Sequence, residues 1–240
     1  MLTDDYSKNI EKPMKNIENN LKHIHAQIAE AALACERDPD SILLLAVSKR
    51  KPASDIRCAW QFGQKHFGEN YLQEAQQKMQ ELKDLDISWH FIGAIQSNKT
   101  RNIAEAFDWA HCVDRVKIAQ RLSAQRPPNL PPLNICIQVN IDHETSKAGI
   151  DLSELPELAQ AIHHLPGIRL RGLMTIPAPR ETLAEQRVAF AQLAAAMSSL
   201  QQQGITCDTL SMGMTQDMAA AIAEGSTLVR IGTAIFGERD

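Results

Sequence analysis

A chain of 240 residues with 44% hydrophobic and 22% charged side chains has material for a buried core, is not disordered, and carries no Pro/Gly/Ser-rich linker that would divide it. Its formal net charge of -4, without a basic block, argues against nucleic acid or an anionic membrane as the main partner. Five scattered cysteines with no Cys-x-x-Cys pair suit a reducing compartment; the polar amino terminus has no apolar signal core, and no apolar run is long enough to span a bilayer, so the expected location is the cytoplasm.

Residues 1–14 read as a polar N-terminal extension and residues 15–240 as one domain. From about residue 16 to 34, Ile17, Leu21, Ile24, Ile28, Ala31 and Ala32 recur at helical spacing, which predicts an amphipathic helix with His23 and His25 on its surface. Residues 42–47 are apolar without alternation, the mark of a strand buried on both faces, and they run straight into Ser48 and Lys49. A lysine at the carboxyl end of such a strand points to where α/β proteins keep their ligands. Burial there disfavours the ammonium form, making Lys49 a candidate to form a Schiff base with an aldehyde.

Pro52 and Ser54 introduce a second helix, with Ser54 as its expected cap. A short strand at residues 66–69 runs into Asn70, which reads either as a ligand-side residue or as the cap of the helix over residues 71–82. A third strand, residues 87–92, contains His90, read as a satisfied core histidine. A fourth strand follows at residues 109–113, with Asp114 as the cap of the next helix. The fifth, residues 133–139, leads to a polar loop that carries Lys147, and a helix over residues 152–164 precedes the sixth, residues 168–173. A long helix stops at Gly204, and the last strands occupy residues 209–211 and 227–231. Eight short strands alternating with helices at this length predict a single-domain (β/α)8 TIM barrel, the alternative being an open doubly wound sheet.

The last two strand-to-helix loops complete the site. Ser211-Met212-Gly213-Met214 follows the seventh strand and Arg230-Ile231-Gly232-Thr233 closes the eighth, where barrels frequently bind phosphate. Gly213 and Gly232 let backbone amides approach an anion, and Ser211 and Thr233 add hydroxyls. A strand-one lysine, a two-loop phosphate cradle and Arg230 together describe a site for an aldehyde that carries phosphate. Pyridoxal 5'-phosphate is that molecule, held as a lysine aldimine by Lys49 with Arg230 at its pyridine nitrogen.

At Ala46-Val47-Ser48-Lys49, Phe67-Gly68-Glu69-Asn70-Tyr71, Trp89-His90-Phe91-Ile92-Gly93, Gln96-Ser97-Asn98-Lys99, Arg171-Gly172-Leu173-Met174, Ser211-Met212-Gly213-Met214 and residues 229–237, the sequence resembles the pyridoxal phosphate homeostasis protein family. These are single-domain relatives of the alanine racemase N-terminal barrel, fold type III among pyridoxal-phosphate-binding proteins. The resemblance implies the cofactor pyridoxal 5'-phosphate and a cofactor-binding set of Lys49, Asn70, Ser211, Gly213, Arg230, Gly232 and Thr233. Two departures stand out: Ala94 where the pattern has proline, and the extra residues at the amino terminus. The family is known for keeping cofactor levels in balance, which implies a carrier without turnover of its own, acting as a monomer with apo pyridoxal-phosphate-dependent enzymes as recipients. Arg230, permanently charged, would keep the pyridine nitrogen unprotonated and weaken it as an electron sink, which points the same way. The alternative is a racemase or lyase acting on a small amino acid, with Lys147, His90 or Tyr71 as second base. Lys51, Lys99 and Lys147 lie at the ligand side as further amines or as solvated surface groups.

Overall fold

The chain forms eight parallel strands, of which only the first is an uninterrupted apolar run: β1 (Leu43–Val47), β2 (His66–Glu69), β3 (Ser88–Phe91), β4 (Trp109–Val113), β5 (Leu133–Gln138), β6 (Ile168–Met174), β7 (Thr209–Ser211) and β8 (Leu228–Ile231). They pair in sequence order, and β8 returns to β1, with Leu43 opposite Leu228 and Ala46 opposite Ile231. The ring is closed, so the open doubly wound sheet is excluded and the (β/α)8 barrel is the fold. This is a computed structural model that describes the backbone of residues 4–144 and 148–238, and side chains from residue 16 onward within those ranges.

Helices cover the ring because each presents an apolar stripe to the outer faces of the strands. They are α1 (Asp4–Leu33), α2 (Ala53–Gln61), α3 (Leu72–Glu81), α4 (Thr100–Ala106), α5 (Val116–Gln125), α6 (Leu155–Ile162), α7 (Leu183–Gln202), α8 (Met218–Ala223) and α9 (Thr233–Phe236). The first helix begins well before residue 16: its backbone is helical from Asp4, so most of the segment read as an extension continues α1. It buries Ile17, Leu21, Ile24, Ile28 and Ala32 and packs on α2, α8 and α9, where the Asn20 amide donates to the Ile235 carbonyl at 2.9 Å. The amino-terminal helix thus braces the short α9 that follows β8.

Helix starts follow the capping rules unevenly. Thr182 caps α7 through a reciprocal pair with Glu185, and Asp151 does the same with Glu154 for the turn that opens α6. Ser54 and Asp114 do not cap. The chain enters α2 at Pro52 and α5 at Arg115 without a side-chain cap bond, and the Asp114 carboxylate lies 3.1 Å from the Arg115 guanidinium instead.

Candidate functional site

The end of β1 is fixed from its outer face. Ser48 extends the ladder through its amide to the Gly68 carbonyl at 3.0 Å, and its buried hydroxyl donates to Glu69 Oε1 at 2.7 Å. Lys78 of α3 closes this cluster: its Nζ donates to the Ser48 carbonyl at 2.8 Å, to Glu69 Oε1 at 2.7 Å and to Glu74 Oε1 at 2.6 Å. Burial raises the Glu69 carboxyl above its ordinary value, and the Lys78 ammonium offsets part of that rise. A tight turn follows, with the Lys51 amide on the Ser48 carbonyl and Arg50 in the left-handed region at φ 60°. Because successive strand residues alternate in direction, Ser48 facing the helices sends Lys49 to the barrel mouth.

Lys49 lines a cavity of about 200 Å³ at the carboxyl ends of the strands together with Lys51, Asn70, Arg230, Gly232 and Thr233. Asn70 is not a helix cap; the cap position of α3 is Tyr71, which makes no side-chain cap bond. Instead Asn70 is one of the residues lining the cavity, and its buried Oδ1 has no hydrogen-bond partner among the described residues. A buried, unpartnered amide beside a lysine and an arginine fits a ligand that supplies polar atoms there. Gly93 brings the next loop against this residue, since a Cβ on it would lie 2.2 Å from the Asn70 carbonyl oxygen.

Arg230 is 5% exposed and forms part of the cavity floor. Its Nη1 donates to the Ser211 carbonyl at 2.6 Å and hydroxyl at 2.9 Å, and its Nη2 to the Thr175 carbonyl at 2.8 Å. Burial lowers its pKa from the ordinary guanidinium value. These bonds change the reading of Ser211. Its hydroxyl is buried beneath the floor between Arg230 and His111 rather than in the cavity, so it supports the arginine where a phosphate contact was expected. Gly213 likewise sits behind the cavity wall: at φ 97°, with a would-be Cβ 2.6 Å from that of Ala221, it shapes the loop that presents Met214 and Thr215. At the other loop, Gly232 and Thr233 line the cavity directly. The first intrahelical bonds of α9 come from Ile235 and Phe236 to the Gly232 carbonyl, so the amides of Thr233 and Ala234 precede the helix's own ladder.

Residues with no polar signature complete the walls: Val47, Ile92, Met174, Ile176 and Phe236. A second cavity of about 500 Å³, bounded by residues 177–180 and 214–217, adjoins the first at Met214, Thr215 and Thr233. Of the additional amines, Lys51 lines the first cavity, with its Nζ 2.5 Å from the Glu238 carbonyl oxygen; Lys99 does not line it, and Lys147 lies outside the described residues. His90 is fully buried inside the barrel, and Tyr71, 47% exposed, sits against Arg50 outside the cavity.

The family model for the alanine racemase N-terminal domain matches residues 15–240. The chain is similar to the pyridoxal phosphate homeostasis protein of Pseudomonas aeruginosa, 57% identical over 227 residues that cover 95% of this chain and 97% of that one. It is similar also to the protein of the same description from Escherichia coli, 54% identical over 230 residues, 95% of this chain and 98% of that one. Among solved structures, PipY of Synechococcus elongatus with pyridoxal phosphate bound matches with a TM-score of 0.82 at 39% identity, over 92% of this chain and 100% of that one.

Proposed function

The chain belongs to the pyridoxal phosphate homeostasis protein family, built on the alanine racemase N-terminal barrel, and from that premise we propose that its cavity binds pyridoxal 5'-phosphate through Lys49 and gives it up to other proteins. One observation carries the reading: a lysine amine, an unpartnered buried amide and a buried guanidinium line a single cavity beside the two carboxyl-terminal loops. When bound, this ligand supplies an electrophilic aldehyde and an electron-withdrawing ring. Lys49 Nζ is the nucleophile for the aldehyde carbon, held in place from behind by Ser48, Glu69 and Lys78. The Asn70 amide meets a polar atom of the ring. Arg230 stays charged and offers a hydrogen to the ring nitrogen, which it thereby keeps unprotonated. Thr215, Gly232 and Thr233 take the phosphate.

The same cavity supports a carrier rather than a racemase or lyase. Beside Lys49 and Arg230, its remaining titratable side chain among the described residues is Lys51, engaged with the Glu238 carbonyl. Of the three candidate second bases, His90 and Tyr71 do not line the cavity, and Lys147 lies outside the described residues. We place the protein in the cytoplasm, acting as a monomer that supplies apo pyridoxal-phosphate-dependent enzymes; among the described residues no helix is long and apolar enough to cross a membrane.

Borohydride reduction of the purified protein, followed by peptide mass mapping, tests the assignment. The expected result is a reduced pyridoxyl phosphate adduct on the peptide carrying Lys49, and loss of the near-ultraviolet absorbance band in Lys49→Ala. An adduct on another lysine alone, or an unchanged band in the variant, overturns the role of Lys49. Solvent deuterium entering the α position of an amino acid with the wild type, and not with Lys49→Ala, overturns the non-catalytic reading.

A further inference from the structure

Three histidines cross the barrel interior in a staircase. His66 opens β2, His90 lies two residues higher on β3, and His111 higher again on β4. His66 Nδ1 is 3.0 Å from His90 Nε2, His90 Nδ1 is 2.9 Å from His111 Nε2, and His111 Nδ1 is 2.9 Å from Ser211 Oγ. That hydroxyl in turn takes the hydrogen bond from Arg230 Nη1 at 2.9 Å. One unbroken line of contacts therefore joins the cavity floor to the amino-terminal end of the ring. His90 and His111 are wholly buried, and the Trp109 ring stacks on His90 at 5.3 Å.

The direction of the line follows from which atoms can donate. Burial lowers the pKa of all three imidazoles, that of His111 to about 3, so each is neutral and has one N–H and one bare nitrogen. Arg230 can only donate, so it occupies a lone pair of Ser211 Oγ, and the acceptor for the Ser211 hydrogen among the described residues is His111 Nδ1. His111 then bears its hydrogen on Nε2 and gives it to His90 Nδ1. His90 does the same toward His66 Nδ1, with Ser88 Oγ a longer contact at 3.4 Å, and His66 bears its hydrogen on Nε2.

Arg230 gives this polarity its physical purpose. The guanidinium is buried, and among the described residues no carboxylate forms an ion pair with it; Asp217 acts on it only at longer range. A buried charge without a counter-ion is costly unless oriented dipoles replace its solvation. A run of hydrogen bonds that all lead away from the guanidinium turns its negative ends toward the cation, and each bond strengthens the next.

We propose that His66, His90, His111 and Ser211 are positioning residues, a one-directional line of hydrogen bonds that holds Arg230 charged and aimed at the ring of the bound ligand. The proposal rests on the pyridoxal phosphate reading for the ligand alone; the polarity of the line belongs to the free protein. It makes the barrel interior, and not only the cavity wall, part of what sets the electronic state of the ligand.

Two measurements on the full chain test it. In the ligand-free wild type labelled with nitrogen-15 histidine, the side-chain shifts of His66, His90 and His111 are expected to report the Nε2–H tautomer for all three near neutral pH. An Nδ1–H tautomer or an imidazolium at any of them overturns the line. With pyridoxal phosphate added, His111→Leu is expected to shift the absorbance maximum of the bound ligand and weaken binding about tenfold. His111→Gln, whose amide accepts from Ser211 and donates to His90, should keep the wild-type spectrum. A folded His111→Leu protein with unchanged maximum and affinity overturns the positioning role. A wild type that takes up no pyridoxal phosphate would sink the functional reading, while the tautomers in the free protein would still decide the line.

Discussion

Asn70 separates binding from stability because its side-chain oxygen contributes no hydrogen bond to the protein. Truncating a polar group normally strands its partner, and the loss mixes folding with function. Here no described partner is stranded. Asn70→Ala is therefore expected to weaken pyridoxal phosphate binding about tenfold, the value of roughly one hydrogen bond, while leaving the ligand-free melting temperature within about a degree of the wild type. Titration of the ligand by absorbance, alongside thermal melts without it, checks both halves. Equal affinity would remove Asn70 from the site. Around Lys49 the backbone is held by its neighbours, through the left-handed Arg50 and the contacts of Ser48.

The segment from β1 to α3 shows how far a sequence can be read. A strand buried on both faces leaves an apolar run, uninterrupted in β1 and nearly so in β5, and its alternation with helical segments made all eight strands and the residues at their carboxyl ends readable in order, Lys49 and Arg230 among them. Contacts set by register between separate strands leave no such trace. Lys78 looks like any lysine in the last turn of a helix, yet it is 5% exposed and ties α3 to both Ser48 and Glu69. The histidine line is equally hidden, because it needs His66 and His90 placed two residues apart in height on paired strands; period-two alternation from the strand ends is the one signal that puts all three inside. Ser211 is a parallel case: its position was readable, but its partners Arg230 and His111 were not. Lys78→Met should destabilise the protein by about 3–5 kcal/mol, since it leaves a buried carboxylate without its cation. Adding Glu69→Gln should restore part of that loss, and a double-mutant cycle by urea unfolding measures the coupling. Additive effects would mean that the buried pair does not link α3 to the lysine-bearing turn.

Closing a ring around three neutral imidazoles makes the fold sensitive to acid. Each folded-state pKa lies below the ordinary histidine value of 6.5, so as the pH falls the unfolded chain takes up protons that the folded barrel refuses. Their contribution is present in full above that value and is lost progressively below it, toward about 3 for His111. For His90 and His111, whose values are lowered furthest, the slope approaches about 1.4 kcal/mol per pH unit once the unfolded form is protonated. The buried carboxyls work in the other direction: Glu69 and Asp217 have raised values, and their contribution is present at low pH and lost as the pH rises. Subtracting a variant from the wild type cancels those groups. His66, the outermost and least enclosed of the three, can be replaced with the least damage to packing. Unfolding free energies from urea titrations between about pH 7 and about pH 5 should fall more steeply for the wild type than for His66→Gln. Parallel curves would mean that His66 is protonated in the folded barrel as readily as in the open chain. The ring would then tolerate a charge at its amino-terminal end, and the neutral line behind Arg230 would have no anchor there.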